Sequence, residues 1–132
     1  MILSVDLTSD VPLYQQIRDR VVEAVADGTL RAGDPLPSTR QLASDLGINF
    51  HTVNKAYDQL RQEGLLRIGR KAGAVIQRDA SSGPPRPGWE DDWSGRLRTM
   101  LAEAAAQGLP AKDVVRRCRD ILAGFAPDGD RT

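Results

Sequence analysis

The chain has 132 residues, of which 40% are hydrophobic and 27% charged, enough for one domain with a modest core and an appendage. Its single cysteine, Cys118, excludes an intrachain disulfide and a zinc site built on paired cysteines. The 18 basic and 18 acidic residues balance, so net charge gives no support for nucleic-acid binding. No apolar run could span a membrane and no signal segment leads the chain, so we expect a soluble protein.

The first predicted helix follows a short extended segment over residues 1–9. Asp10 is a suitable N-cap, and Pro12 suits the first turn because its φ angle is already close to the helical value. Apolar side chains then recur every three or four residues, which predicts a core-facing stripe, until Gly28 ends the helix. The stripe consists of Leu13, Ile17, Val21 and Ala24.

A loop and a second helix are predicted next. Glycine and proline residues within 29–37 disfavour a helix there. Ser38, with Gln41 three residues later, forms the pattern of a capping box. This cap places Thr39 and Arg40 in the exposed first turn, where free backbone N–H groups favour a phosphate, so Arg40 has a reason to face DNA.

Residues 39–58 predict a helix, a tight turn and another helix. Gly47 can adopt the left-handed conformation that ends a helix, and Asn49 is placed to cap the next one. Within this pair, the apolar positions are Leu42, Ala43 and Leu46 in the helix before Gly47 and Val53, Ala56, Tyr57 and Leu60 in the helix after it. This pattern is typical of the helix-turn-helix of DNA-binding proteins, whose second helix enters the major groove. Two ordinary packed helices are the alternative.

The outward face of the second of these helices is polar. Directing its apolar stripe inward leaves side chains with hydrogen-bonding groups on the opposite side. These side chains are His51, Lys55, Asp58 and Gln62, flanked by Thr52, Asn54 and Gln59. Short donors and acceptors of this kind favour base reading over plain packing.

A basic hairpin is predicted after Gly64. Two short apolar runs, residues 65–68 and 74–77, flank a basic tip that contains glycine, which predicts a two-stranded wing. Glu63 is the one acidic residue between positions 61 and 78, against five basic residues. They are Arg61, Arg67, Arg70, Lys71 and Arg78. Such a tip either contacts the DNA backbone or minor groove or is simply a solvated hairpin.

The last part of the chain predicts a linker and two amphipathic helices. Prolines, glycines and serines make residues 80–88 a linker, and helices follow over residues 89–107 and up to about residue 125. Two helices cannot bury both of their apolar stripes against each other, so we expect a second copy to cover them. The predicted dimerisation residues are Trp89, Trp93, Leu97, Met100, Leu101, Val114, Val115, Cys118, Ile121, Leu122 and Phe125. The two tryptophans are either interface anchors or parts of a ligand cage, and the absence of converging polar residues favours anchors.

Residues 12–76 resemble the winged helix-turn-helix domain of the GntR family of bacterial transcription regulators. The motifs that carry the resemblance are Pro12-Leu13-Tyr14 with Gln16-Ile17, Gly28-x-Leu30-x-x-Gly33, Leu36-Pro37-Ser38-x-Arg40-x-Leu42-Ala43, Thr52-Val53-x-x-Ala56-Tyr57 and Leu60-x-x-x-Gly64-Leu65. The two-helix tail and the form of the second motif helix resemble the YtrA subfamily in particular, which is dimeric and commonly represses transporter operons.

The resemblance also implies DNA contacts. Carried over position by position, they fall on Arg40, Asn49, His51, Thr52, Lys55, Arg70, Lys71 and Gly73. Phe50 departs from the family, because many members have a base-reading arginine there and YtrA-like ones often a proline. It either contacts a thymine methyl or tucks under the helix end. The operator sequence therefore does not follow from the resemblance.

We predict a mostly α fold with a small β-wing: a winged helix-turn-helix domain over residues 1–79, the linker over 80–88 and a helical dimerisation tail over 89–132. We predict that the protein is a homodimeric repressor of transcription that binds an inverted-repeat operator. It would be cytoplasmic and associated with the nucleoid. Arg40 and the second motif helix would read bases, Arg61 and the wing would contact phosphates, and Ser38, Thr39, Phe50 and Asn54 complete the surface.

Other functions are weaker alternatives. One histidine, no glycine-rich phosphate loop and no paired carboxylates argue against an enzyme, and no metal or other cofactor is expected. A protein-interaction module without specific DNA binding is the more serious alternative. No small-molecule effector is identified, and a ligand, where one binds, would lie between subunits or between the tail and the DNA-binding domain.

Overall fold

The computed structural model describes residues 3–69 and 73–125. Within them the helices are α1 (Leu13–Ala26), α2 (Thr39–Leu46), α3 (Phe50–Gln62), α4 (Trp89–Ala106) and α5 (Ala111–Phe125), and the strands are β1 (Pro35–Leu36), β2 (Leu66–Gly69) and β3 (Gly73–Ile76). The chain forms two compact units, divided between Ser82 and Gly83. The predicted class, mostly α with a small β-wing and two C-terminal helices, is confirmed.

The core of the first unit lies between α1, α2, α3 and the sheet. The predicted stripe of α3 is confirmed, because Val53, Ala56, Tyr57 and Leu60 are all buried. The predicted stripe of α1 is partly wrong: Ile17 and Val21 are buried, whereas Leu13 and Ala24 are only half-buried. Gln16 and Val25 are buried as well, although neither belongs to the predicted stripe.

The buried side-chain amide of Gln16 holds the segment before α1 through three hydrogen bonds. The Asp6 N–H donates to Gln16 Oε1 at 2.7 Å, and Gln16 Nε2 donates to the carbonyl oxygens of Asp6 at 3.0 Å and Val11 at 2.9 Å. The amide thereby satisfies its own polar atoms and those of the chain that it contacts. Asp10 is not the N-cap that the sequence predicts, because α1 begins directly after Pro12 and no side chain caps it.

The helix-turn-helix is built as predicted, with one exception. Gly47 has a φ of +68°, the left-handed value that ends α2, and the His51 N–H donates to Asn49 Oδ1 at 2.8 Å at the start of α3. The Gln41 N–H donates to Ser38 Oγ at 3.1 Å. The reciprocal half of the capping box is wrong, because Gln41 Nε2 donates to Asp45 Oδ1 at 2.8 Å instead.

The wing is part of a three-stranded antiparallel sheet with β3 between β1 and β2. Leu66 pairs with Ile76 and Gly69 with Gly73, so the two wing strands are in register up to the tip. The sequence predicts only a loop where β1 lies, because two residues are too few to show a strand pattern.

Two side-chain contacts join α3 to the rest of the first unit. The buried Tyr57 hydroxyl donates to the Pro37 carbonyl at 2.8 Å, and burial raises the pKa of this hydroxyl well above its ordinary value, so it remains a donor. Arg18 Nε lies 3.0 and 3.1 Å from the two Glu63 carboxylate oxygens, which joins α1 to the end of α3.

The second unit is a helical hairpin without a buried residue in the described chain. The Trp89 and Trp93 rings stack, with their centroids 6.0 Å apart and 12° between their planes. Large apolar side chains remain exposed on both helices, among them Met100 at 64% and Leu122 at 67%. Across the described residues, every helix is too short or too polar to serve as a membrane span.

Candidate nucleic-acid interface

The starts of α2 and α3 bring three predicted site residues together. The Arg40 guanidinium carbon lies 4.6 Å from the centre of the Phe50 ring, and the Phe50 and His51 ring centroids are 4.1 Å apart at an interplanar angle of 33°. Arg40 and His51 are exposed, while Phe50 is half-buried and packs against the core. Of the two alternatives for Phe50, this position matches the ring tucked at the helix end.

Lys55 lies one helical turn after His51 and contacts a different ring. Its ammonium nitrogen is 4.0 Å from the centre of the Tyr14 ring at the start of α1. Lys55 itself is exposed and Tyr14 half-buried. A cation over an aromatic ring is attracted by the electron-rich face. Among the described residues no carboxylate forms an ion pair with Lys55, so its ammonium group is available to a phosphate.

Arg61 is held differently from these two cations. Its Nη2 lies 2.6 Å from Asp58 Oδ1 one turn earlier on α3, and Gln62 Nε2 donates to the other Asp58 oxygen at 2.8 Å. The Arg61 hydrogen bond lowers the pKa of the Asp58 carboxyl, so this group is ionised at neutral pH. Because its N–H groups already donate to Asp58, the Arg61 guanidinium is less available to a phosphate than an unpaired arginine would be.

The remaining predicted DNA contacts of the helix-turn-helix divide by exposure. Asn54 is exposed on α3, and Thr39 and Thr52 are half-buried. Ser38 and Asn49 are exposed, and the side-chain oxygen of each accepts a backbone N–H at the start of a helix. The Ser38 hydroxyl proton and the Asn49 NH₂ group remain as hydrogen-bond donors for DNA.

The first turns of α2 and α3 carry no acidic residue. Their unpaired N–H groups and the positive ends of the two helix dipoles therefore remain available to an anion. The first turn of α4 differs, because Glu90, Asp91 and Asp92 already occupy it. Among the described residues, His, Cys, Asp and Glu side chains nowhere cluster as a metal site would require.

The wing is described only in part. Gly73 starts β3 with a φ of +70°, a conformation that L-residues rarely adopt, and Arg67 and Ile68 are exposed on β2. The two basic tip residues predicted as DNA contacts, Arg70 and Lys71, lie outside the described residues.

Tyr14 is the contact residue that sequence reasoning missed. It belongs to the motif Pro12-Leu13-Tyr14, but its position in α1 gives no sign that it lies beside Lys55 of α3. The pairing of Arg61 with Asp58 had a sequence signal, because opposite charges three residues apart on a helix lie on the same side.

Comparison with known proteins identifies the family. A family model described as bacterial regulatory proteins, gntR family, matches residues 13–76. The transcriptional repressor YtrA of Bacillus subtilis is 36% identical over 80 residues, which cover 61% of this chain and 62% of the repressor. The transcriptional regulator Rv1152 of Mycobacterium tuberculosis is 36% identical over 114 residues, 86% of this chain and 88% of that regulator.

One similar solved structure belongs to the same family. YtrA from Sulfolobus acidocaldarius, a GntR-family transcription factor, is 39% identical and superposes with a TM-score of 0.62. The match covers 80% of this chain and 99% of that protein. The fold is therefore similar to that of a GntR-family transcription factor, over nearly the whole length of that protein.

Proposed function

Since this chain belongs to the GntR family and is a DNA-binding regulator of transcription rather than an enzyme, we propose that it is a homodimeric repressor that binds an inverted-repeat operator. One observation carries the DNA-binding part of the proposal. Exposed side chains of α2 and α3 carry two cationic groups beside aromatic rings: Arg40, 4.6 Å from the centre of the Phe50 ring, and Lys55, 4.0 Å from the centre of the Tyr14 ring.

In this proposal α3 is the recognition helix and lies in the major groove. Arg40 reads a guanine edge, and His51, Asn54 and Lys55 face neighbouring bases or phosphates. The helix N-terminal N–H groups at Ser38 and Asn49 contact the phosphate backbone and set the register. The wing adds phosphate or minor-groove contacts through Gly73 and the basic tip residues Arg70 and Lys71.

Dimerisation is proposed for the second unit, as the exposed faces of α4 and α5 support. No residue of either helix is buried in the described chain, and large apolar side chains remain accessible to a partner. A second hairpin would complete a four-helix arrangement that covers them. Trp89 and Trp93 stack on each other rather than enclosing a space, so we assign them as interface anchors. The DNA-binding domain is assigned to residues 1–79 and the dimerisation tail to 89–132.

The repressor role is inferred from the similarity to the B. subtilis repressor YtrA. Because the match covers 62% of that protein, its whole activity is carried over only as a proposal. A repressor of this kind binds chromosomal DNA, so we place the protein in the cytoplasm at the nucleoid. Any small-molecule effector would act by changing the spacing of two recognition helices, since a dimer binds only half-sites that match this spacing.

The decisive experiment is selection of bound sequences from a random pool of duplex DNA. We expect an inverted repeat with half-sites about one helical turn apart, because two recognition helices of a symmetric dimer enter successive major grooves. An enriched site without symmetry would contradict the dimer. If no sequence is enriched and DNA binding shows no dependence on salt, the interaction-module alternative is favoured instead.

A further inference from the structure

A guanidinium, a phenyl ring and an imidazole lie side by side where the recognition helix begins. Phe50 is the first residue of α3, and its ring packs against the core of the first unit. The centre of this ring lies 4.6 Å from the Arg40 guanidinium carbon and 4.1 Å from the centre of the His51 ring. Arg40 belongs to α2, so this contact crosses the turn between the two helices. The core thus fixes the ring, and the ring in turn provides a fixed surface for Arg40.

Among the described residues, no group accepts a hydrogen bond from the Arg40 guanidinium beside the Phe50 ring, so its N–H donors are available to a ligand. A guanidinium that stacks on an aromatic ring keeps its five N–H donors free, because they lie in the plane of the group. Those donors form the bidentate contact with the O6 and N7 atoms of guanine. Arg61 shows the opposite case, because its N–H groups already donate to Asp58 at 2.6 and 3.2 Å.

The ring is also the contact that holds Arg40 in place. Arg40 lies in the first turn of α2, where the helix dipole disfavours a cation, and among the described residues no carboxylate pairs with it. An exposed arginine without a contact would lose much of its rotamer freedom on binding a base, which weakens binding. A guanidinium already resting on a ring loses less.

We propose that Phe50 is a positioning residue for base reading: its ring holds the Arg40 guanidinium ready for a guanine edge and touches no base itself. This inference rests on the proposed function, and it excludes the direct thymine contact for Phe50. Discrimination at one G·C pair of the operator then depends on a side chain that does not reach the DNA.

The test is a double-mutant cycle on the operator obtained by selection. Fluorescence anisotropy would give the affinities of the wild type, Phe50→Leu, Arg40→Ala and the double variant for the operator and for a scrambled duplex. Phe50→Leu should weaken operator binding by about twofold to fivefold and reduce discrimination at the same base pair as Arg40→Ala. In the Arg40→Ala background, Phe50→Leu should have no further effect. Phe50→Tyr, which keeps the ring, should retain wild-type affinity.

Folding is controlled with a matched variant. Val22 is half-buried against the same core but has no part in the interface, so Val22→Ala should lower the unfolding midpoint without changing discrimination. If Phe50→Leu lowers the midpoint more than Val22→Ala does, Phe50→Met replaces it as the variant without a ring.

Three results would overturn the inference. Equal weakening by Phe50→Leu with and without Arg40 would mean that Phe50 contacts DNA itself. A selected operator whose affinity and discrimination do not depend on Phe50 would overturn this inference alone. A wild-type protein that selects no sequence would overturn the proposed function and the inference together.

Discussion

The Lys55 ammonium nitrogen lies 4.0 Å from the centre of the Tyr14 ring, so the first helix of the domain positions a cation of the recognition helix. Tyr14→Leu should therefore weaken operator binding by about 0.5–1 kcal/mol, the strength of an exposed cation–π contact. Tyr14→Phe keeps the ring and should bind as the wild type does. Anisotropy titrations of both variants would measure the difference.

The control for this prediction removes the cation. In a Lys55→Met background, Tyr14→Leu should have no further effect on DNA binding. If Tyr14→Phe binds as weakly as Tyr14→Leu, the hydroxyl rather than the ring is the important group, and it contacts DNA directly.

Asp58 should limit the contribution of Arg61 to DNA binding. Asp58→Asn removes a negative charge from the exposed face of α3 and frees the Arg61 guanidinium from its ion pair. We expect tighter binding to operator and random DNA alike. The slope of log K against log salt concentration should become steeper by about one unit, the change expected for one additional phosphate contact. Titrations at several salt concentrations would measure it.

Asp45→Asn provides the matched change of charge, because the Asp45 carboxylate accepts a hydrogen bond from the Gln41 amide rather than an arginine. It should change the salt dependence less than Asp58→Asn does. Identical slopes for the two variants would place Arg61 away from the DNA backbone.

Gln16→Leu should destabilise the first unit by about 1–3 kcal/mol, because it leaves three part-buried backbone groups without their hydrogen-bond partner. Urea unfolding followed by circular dichroism would measure the loss. Gln41→Leu is the control, since this amide is exposed and its replacement should change stability by less than about 0.5 kcal/mol. A Gln16→Leu protein as stable as the wild type would contradict the role given to this amide.

Asp79 should make the first unit sensitive to acid. Its carboxylate accepts the Ala32 N–H at 2.9 Å and the Ser81 N–H at 2.8 Å, and these hydrogen bonds, that of Ala32 first, lower its pKa below the ordinary 3.8. A pKa lowered by folding means that the charged form stabilises the fold. This contribution is complete above the unfolded pKa and is lost as the pH falls through the folded pKa.

Asp79→Asn should accordingly be less stable than the wild type at neutral pH and should lose less stability between about pH 5 and pH 3. Urea midpoints across that range would show it. Asp27→Asn is the comparison, because the pKa of Asp27 is also lowered, first by Thr29, two residues away. A local contact of this kind persists partly in the unfolded chain and should matter less. Parallel profiles for Asp79→Asn and the wild type would refute the prediction.

A chain ending after Ser82 should fold as a monomer. It keeps the hydrogen bonds that Ser81 and Ser82 make with Asp79 and lacks both helices proposed for dimerisation. Binding to a full inverted repeat should fall by about a hundredfold, because the second half-site is no longer tethered. Sedimentation and anisotropy would measure both. A truncated chain that still dimerises would place the interface in the first unit.

The helix-turn-helix was predictable because its signals are local. Asn49 caps the residue two positions later, and Gly47 ends its own helix with a left-handed φ. The buried side of α3 follows from the spacing of Val53 and Leu60 along one helix. Each of these features depends on residues within about two turns of one another, and they can therefore be recognised from the sequence.

The sequence by itself thus determined which segments are helical and which face of the recognition helix is polar. Only the tertiary structure decided which side chains meet: Arg40 with Phe50, Lys55 with Tyr14, and Asp79 with Ala32. It also placed β1 beside β3, where two residues were too few for a pattern. Contacts between separate elements depend on how the core packs and on the angle at which helices cross, and neither is encoded in the spacing of any one segment.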